Sequence, residues 1–341
     1  MDEHSEVIDE IRALLRIGSP VLWSEPCPGA QTMIEEAQRV WQCGGLLEVA
    51  ALMRLREEDY LGASRLLMEA IQVADSEPIW GYGWTRGVLG NVMTAAIEEG
   101  SSALPEDVAH DLVRQLEESA SRHVFEEALR RDVVWLLAWL EGLPGSVDEE
   151  ETEFRVVMWG WTTVGRPALN MDVELTADVM DGLLHLAPLP HVEAQPGVEA
   201  LIARLDKYPL GPWRHWWGVR HMVENAFKQR AVHEARLGLA RTALLLERYH
   251  SQHGHCPEAL EDLGEAAPVD PFTGQGLIYV LDGDDYLLYS VGPDGDDDGG
   301  APLDLATWDL GDGDIVWLPA KPEGEKSATQ TKLAAKAKRA V

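Results

Sequence analysis

The chain has 341 residues, with 28 Lys and Arg against 59 Asp and Glu, so its formal net charge is −31 at pH 7. This length suits about two domains and allows a sizeable core. The negative charge argues against a general nucleic-acid or anionic-membrane binder, because phosphate groups are bound by basic surfaces. The charge is also uneven: residues 249–320 hold 16 acidic and no basic side chains, whereas residues 321–341 hold six basic and two acidic ones.

Residues 1–212 carry apolar side chains at helical spacing between short joints rich in Pro and Gly, a pattern that predicts helices packed on helices. The clearest unit is a hairpin with arms near Met33–Arg56 and Tyr60–Val73. It resembles one tetratricopeptide-type unit, but no second copy follows at the roughly 34-residue period of that repeat. Pro196 is expected to start a further helix, since proline is favoured in the first turn. Further helices are predicted at 105–118, 122–141, 151–163, 172–186 and 197–205.

The longest helical pattern runs from about Trp213 to His253, where Gly254 provides a stop. Beyond it the apolar pattern changes to three short β-type runs, the first two joined by a hairpin turn. Three strands need another surface to be stable, so we expect the sheet to pack on the long helix. The three runs lie at 277–281, 286–291 and 314–318.

The chain is therefore expected to be mainly α, with a helical-hairpin or solenoid-like array followed by a small α+β domain. In that domain a three-stranded antiparallel sheet packs on the long helix. We expect a helical scaffold at 1–212, the long helix and the β domain at 213–320, and a basic disordered tail at 321–341. No run of 18 or more apolar residues is present, so no membrane span is predicted in this chain.

The loop between the second and third strands concentrates carboxylates, and we interpret it as a calcium loop. Two unit charges 4 Å apart interact by about 1 kcal/mol in water and about 4 kcal/mol near a protein surface, so such a loop needs a cation when folded. Hard oxygen ligands on a glycine-hinged backbone suit calcium. The spacing of Asp294, Asp296 and Asp298 matches the first half of an EF-hand, but Leu305 stands where that motif needs Glu. The alternative is a solvated acidic turn that binds nothing specific.

Four segments in order resemble the C-terminal domain of the major pseudopilins of type II secretion, over about residues 236–318. The resemblance implies an α+β domain whose loop after the Ser-x-Gly strand binds calcium through Asp side chains and backbone carbonyls. It does not extend to filament assembly, because the processed N-terminal peptide and long apolar helix of that family have no counterpart here. The segments are ALLLERYHSQHGHCPEALEDL at 243–263, VDPFTGQGLIYV at 269–280, YLLYSVGPDG at 286–295 and GDGDIVW at 311–317.

The resemblance assigns individual aspartates to the calcium site. Asp294 matches the first aspartate of the family's loop, and Asp312 and Asp314 match its closing acidic pair. Asp296 and Asp298 are additional here and are either further ligands or a surplus. Calcium is thus the expected cofactor, with these five aspartates as the candidate ligands.

A second group of side chains of metal-ligand type lies at the end of the long helix, in the order H-x-x-H-x-H-C. His250, His253, His255 and Cys256 straddle the helix end, where helical and extended geometries diverge, so zinc is not expected. Cys27, Cys43 and Cys256 are a sparse set of odd number and not a disulfide framework, so three unpaired thiols are expected, with a single bridge as the alternative.

Tryptophans form a third set of candidates for function. Trp135 and Trp139 are four residues apart on an apolar helix and are expected in the core. Trp213, Trp216 and Trp217 are a credible surface anchor for a protein partner.

No enzyme is expected, because the sequence lacks G-x-S-x-G, H-E-x-x-H, Walker and G-x-G-x-x-G motifs. His221 and Glu224 could form an acid–base pair, but residues three apart on a helix are usually a surface pair. Our first hypothesis is a non-catalytic bacterial envelope or secretion-associated scaffold with a calcium-stabilised C-terminal domain. The second is a cytoplasmic helical adaptor that binds a protein partner without metal, and the third is a hydrolase with a catalytic metal at the acidic loop.

The sequence leaves two cellular locations as alternatives. The N-terminal segment MDEHSEVIDEIRALLRIG is acidic and amphipathic, without the basic and apolar regions of a secretory signal. We expect a periplasmic or other extracytoplasmic location if an export segment has been removed, and a cytoplasmic one otherwise.

Overall fold

A computed structural model of the chain describes residues 8, 11, 13, 30–74, 106–119, 125–130, 133, 166–207, 218–264, 268–283, 285–303 and 313–317. In this part the fold is mainly helical with a small three-stranded antiparallel sheet, which confirms the expected fold class. The helices are α1 (Ala30–Arg56), α2 (Tyr60–Ala74), α3 (Glu106–Ser119), α4 (Arg166–Leu186), α5 (His191–Lys207) and α6 (Gly218–His253). The strands are β1 (Ile278–Asp282), β2 (Asp285–Ser290) and β3 (Ile315–Trp317).

The predicted hairpin is present as α1 and α2. Ala51, Ala63 and Ala70 are completely buried, so the two helices approach closely where their side chains are small. Between the helices, the carboxylate of Asp59 accepts a hydrogen bond from the backbone N–H of Gly62 at 3.0 Å. That bond satisfies one of the first-turn donors of α2 that have no partner inside the helix.

Two predicted helix starts are wrong. Helix α4 begins at Arg166 rather than at residue 172. Helix α5 begins at His191, and Pro196 lies inside it rather than at its first turn. The proline removes one backbone donor from the helix, but His191, Ala194 and Val198 are buried on the same helix and hold both sides of the proline in place. Burial of these side chains therefore outweighs the local preference of proline for a helix start.

Helix α6 lies at the centre of the described structure. Its first turns pack Val223, Ala226 and Phe227 into a core shared with α4 and α5. The same core contains Phe125, Ala128, Leu129 and Val133. From Val232 onward it joins a second core, which also contains residues of α1, α2 and the sheet. Because neighbours surround it, its apolar residues are not confined to one stripe.

The sheet follows the chain order β1-β2-β3, and both pairs are antiparallel. Leu288 pairs with Trp317 in register, and both side chains are buried in the core shared with α6. The opposite face of the sheet buries Leu287 and Tyr289 against Ile278, Val280 and Val316. The sheet packs on α6 as expected, and each strand lies within one residue of its predicted position.

Several sequence expectations concern residues outside the described part of the chain. In the described part, no helix is both long and apolar enough to cross a membrane. The expectations that lie outside it are those for Cys27, Trp135, Trp139, Trp213, Trp216, Trp217, Asp312, the helix at 151–163, the scaffold boundary at 212 and the basic tail at 321–341.

Candidate metal site

The described candidate ligands lie in two places next to the sheet. Asp294, Asp296 and Asp298 are in the loop that follows β2, and Asp314 directly precedes β3. Because β2 and β3 are neighbouring strands, the loop returns to the point where β3 begins. The sheet therefore brings Asp314 against the loop, although 16 residues separate it from Asp298.

Asp314 holds the end of this loop. Its residue is completely buried, and its Oδ2 accepts a hydrogen bond from the backbone N–H of Gly300 at 2.6 Å. Its Oδ1 is 3.4 Å from the backbone nitrogen of Asp298, which donates to it. The backbone N–H of Asp314 donates to the carbonyl oxygen of Ala301 at 2.7 Å. One carboxylate thus ties the acidic loop to the start of β3.

Asp294 makes the reciprocal contact from the other side. Its Oδ2 accepts a hydrogen bond from the backbone N–H of Gly313 at 2.8 Å, and its Oδ1 accepts one from Asp296 at 3.1 Å. Asp294 itself is exposed, as is Asp296. The loop and the start of β3 are therefore joined by two aspartates, each of which accepts backbone donors on the opposite segment.

Asp297 is a site residue that the sequence analysis did not assign as a ligand. Its Oδ1 accepts hydrogen bonds from the Tyr289 hydroxyl at 2.9 Å and from the backbone N–H of Gly299 at 2.8 Å. The second bond is an Asx turn, which the Asp-x-Gly spacing could have indicated. The bond to Tyr289, a completely buried residue of β2, depends on the folded sheet.

Two glycines allow the chain segments to meet. Gly292 has φ 79°, and a Cβ there would lie 2.2 Å from the carbonyl oxygen of Gly313. Gly313 has φ 118°, and its Cβ would lie 3.0 Å from the backbone of Leu303. Positive φ and backbone contact both require glycine here.

The electrostatics of the site are unfavourable for a set of ionised carboxylates. Burial, together with the negative charges of Asp297 and Asp298, raises the pKa of Asp314 to about 7, although two backbone hydrogen bonds act to lower it. A carboxylate in such surroundings is stabilised by a bound proton or by a nearby cation. The oxygen atoms of Asp297, Asp298 and Asp314 are hard donors of the kind that calcium prefers.

The side chains do not form a closed cage as they stand. Within the described residues, no group of three or more His, Cys, Asp or Glu side chains is arranged to hold a metal ion. Asp294 and Asp314 face backbone N–H groups, which are donors, and calcium needs those oxygens turned toward it. Binding would therefore require the loop to exchange some hydrogen bonds for metal bonds.

Two histidines at the C-terminal end of α6 lie close together in the structure. The ring of His253 stacks on Tyr249 with 4.0 Å between ring centres, and the rings of His253 and His255 are 6.2 Å apart. The expected divergence across the helix end is therefore wrong for these two side chains, because Gly254, with φ 78°, turns the chain back on itself. Cys256, the next residue in the chain after His255, is buried.

The possible acid–base residue Glu224 forms an ion pair with Arg220 at 2.7 Å. This partner lies four positions away on the same helix and is not His221, the residue with which Glu224 was expected to pair. The side chain of His221 is outside the described part of the chain.

Comparison with known proteins finds no relative whose functional residues could be matched to residues of this chain. No family model, no curated protein and no solved structure matches this chain.

Proposed function

We propose that this protein is a non-catalytic scaffold or interaction protein of the bacterial envelope, associated with secretion, whose pseudopilin-like C-terminal domain is stabilised by calcium. The observation that carries the proposal is the burial of Asp314 against a loop that also presents Asp297 and Asp298. Ionised together, these groups repel one another, and a divalent cation would turn that repulsion into attraction.

The residues that would hold calcium are the carboxylates of Asp298 and Asp314, with Asp297 beside them. Backbone carbonyls and water complete the six to eight oxygens that calcium usually takes. Asp294 keeps its bond to Gly313 and so holds the two segments together. Asp296 is exposed and contributes charge to the entrance of the loop.

The mechanism is linkage between binding and folding. Calcium binds the folded loop, in which both segments are in place, and not the unfolded chain. Extracellular-type sites have Kd of about 10⁻⁴–10⁻³ M, so ~1 mM calcium would add roughly 0.4–1.4 kcal/mol to the free energy of unfolding. Submicromolar cytosolic calcium would leave such a site empty, which is why the proposal places the protein outside the cytoplasm.

The partner is proposed to be another protein. Three of the five large apolar side chains exposed in the described residues lie on one face of α1, namely Val49, Leu52 and Met53. Residues three and four apart on a helix form a continuous surface, and exposed apolar patches often mark protein contacts. This observation equally favours the alternative function, a cytoplasmic helical adaptor that binds a protein partner without metal.

Thermal unfolding with and without calcium tests the proposal and separates the two functions. We expect 1 mM calcium to raise the melting temperature by roughly 1–5 °C relative to chelator, and equal magnesium to do much less because it dehydrates reluctantly. Asp298→Asn should abolish the calcium response, while Glu261→Gln, at an exposed acidic position elsewhere in the domain, should retain it. A native protein that does not respond to 10 mM calcium would contradict the calcium proposal and favour the adaptor.

A further inference from the structure

A second group of cation ligands lies at the C-terminal end of α6. His253 and His255 are both exposed, and their ring centres are 6.2 Å apart. Tyr249 contacts both, stacked on His253 at 4.0 Å and edge-on to His255 at 5.9 Å. The tyrosine therefore restricts the rotation of both imidazoles and keeps them next to each other.

The hydrogen bonds of the two rings determine which nitrogen is available. Nδ1 of His253 is 3.0 Å from the carbonyl oxygen of Tyr249, and Nδ1 of His255 is 2.9 Å from that of Cys256. Because a carbonyl oxygen only accepts hydrogen bonds, each Nδ1 carries the proton. In the neutral rings, Nε2 then holds the lone pair and is the atom that can bind a metal.

We propose that His253 and His255 bind a divalent transition-metal ion of the Ni²⁺, Cu²⁺ or Zn²⁺ class through their Nε2 atoms. Metal-binding histidines commonly donate their other ring N–H to a carbonyl group, which is the arrangement of both rings here. A metal–nitrogen bond is about 2 Å long, so one ion bound to both rings holds their centres roughly 4.5–5.5 Å apart. The observed separation needs only a small rotation of exposed side chains.

The site is independent of the proposed calcium loop. Imidazole nitrogen suits late transition metals, whereas the carboxylates of the acidic loop suit calcium. Two protein ligands leave the remaining coordination positions to water, so the site is open and accessible. The proposal therefore concerns a second kind of cation at a different place in the fold.

Calorimetric titration of the full chain with Ni²⁺ tests the site, with 1 mM calcium present so that the acidic loop does not compete. We expect His253→Gln and His255→Gln each to weaken Ni²⁺ binding by about tenfold or more. His185→Gln is the matched control, because His185 is also exposed and its Nδ1 contacts the carbonyl oxygen of Asp181 at 2.7 Å. That variant should bind like the native protein.

The proposal is wrong if the native chain does not bind Ni²⁺, or if both glutamine variants bind it with native affinity. Circular dichroism without metal checks that the variants are folded. If either variant is unfolded, ring ¹⁵N spectra of the native protein give the answer. Ni²⁺ should then perturb Nε2 of His253 and His255, and an unchanged pair of signals would overturn the assignment.

Discussion

The guanidinium group of Arg230 donates a hydrogen bond from Nη1 to the backbone carbonyl oxygen of Ala187 at 2.7 Å. A second bond, from Nη2, reaches the carbonyl oxygen of Leu189 at 2.7 Å. Arg230 is only 1% exposed and lies over the rings of Phe125 and Phe227, at 4.7 and 5.0 Å from the ring centres. This one side chain of α6 therefore satisfies the carbonyls that follow α4 and fills the space between two aromatic rings.

Removal of this group should be among the most destabilising single changes. We expect Arg230→Ala to lower the free energy of unfolding by roughly 3–5 kcal/mol, because one buried and one partly buried carbonyl lose their donor and a cavity remains. Urea unfolding followed by circular dichroism measures the loss. Arg204→Ala is the control: its pair with Asp178 at 2.6 Å is exposed, so it should cost less than about 1 kcal/mol. Equal losses in the two variants would contradict this account.

Glu48 should make stability depend on pH. Glu48 is 3% exposed, and this burial raises the pKa of its carboxyl group from an ordinary value of 4.5 to about 7. Because the folded chain binds this proton more tightly than the unfolded chain, the contribution of Glu48 to stability is complete below pH 4.5 and is lost as the pH rises to about 7.

Glu48→Gln removes this titration. We expect the variant to gain roughly 1–3 kcal/mol relative to native between pH 4.5 and 8, measured as the difference between their urea-unfolding free energies. Glu58→Gln, at an exposed position in the turn after α1, should change stability by less than about 0.5 kcal/mol. A native-minus-variant difference that does not vary with pH would contradict the assignment.

Gly292 should tolerate a side chain much less well than Gly295, although both lie in the same loop with φ near 78°. An added Cβ at Gly292 would lie 2.2 Å from Gly313, whereas one at Gly295 meets nothing within 4 Å. We expect Gly295→Ala to cost about 1–2 kcal/mol of backbone strain alone. Gly292→Ala should cost about 2–5 kcal/mol because steric overlap is added. Urea unfolding of the two variants compares them directly, and equal costs would show that the two segments are not in contact.

Most helices and strands could be predicted from the sequence, because their formation depends mainly on residues that are close together in the chain. Alternation and the hairpin turn located β1 and β2 to within one residue, and Gly254 ended α6 where expected. The helix start predicted at Pro196 is wrong because buried residues on both sides of the proline extend α5 through it.

The site was only partly predictable for a similar reason. The loop aspartates could be identified from their spacing, but the role of Asp314 as the residue that ties the loop depends on β2 and β3 pairing first. Asp270 shows the same limit. Its buried carboxylate accepts hydrogen bonds from the backbone of Phe272 at 2.9 Å and of Val291 at 3.0 Å, and the second residue is 21 positions away. Contacts over such separations require the folded chain and have no local signal.

Helix α6 contributes to both apolar cores, and this has a consequence for how the protein unfolds. The sheet cannot separate from α6 without exposing Leu244 and Leu246, which share a core with α1 and α2. Local unfolding of the sheet therefore exposes apolar side chains that also pack against α1 and α2. We expect the described parts of the chain to unfold as one cooperative unit. A cation that tightens the acidic loop would then slow hydrogen exchange in helices far along the chain from the site at which it binds.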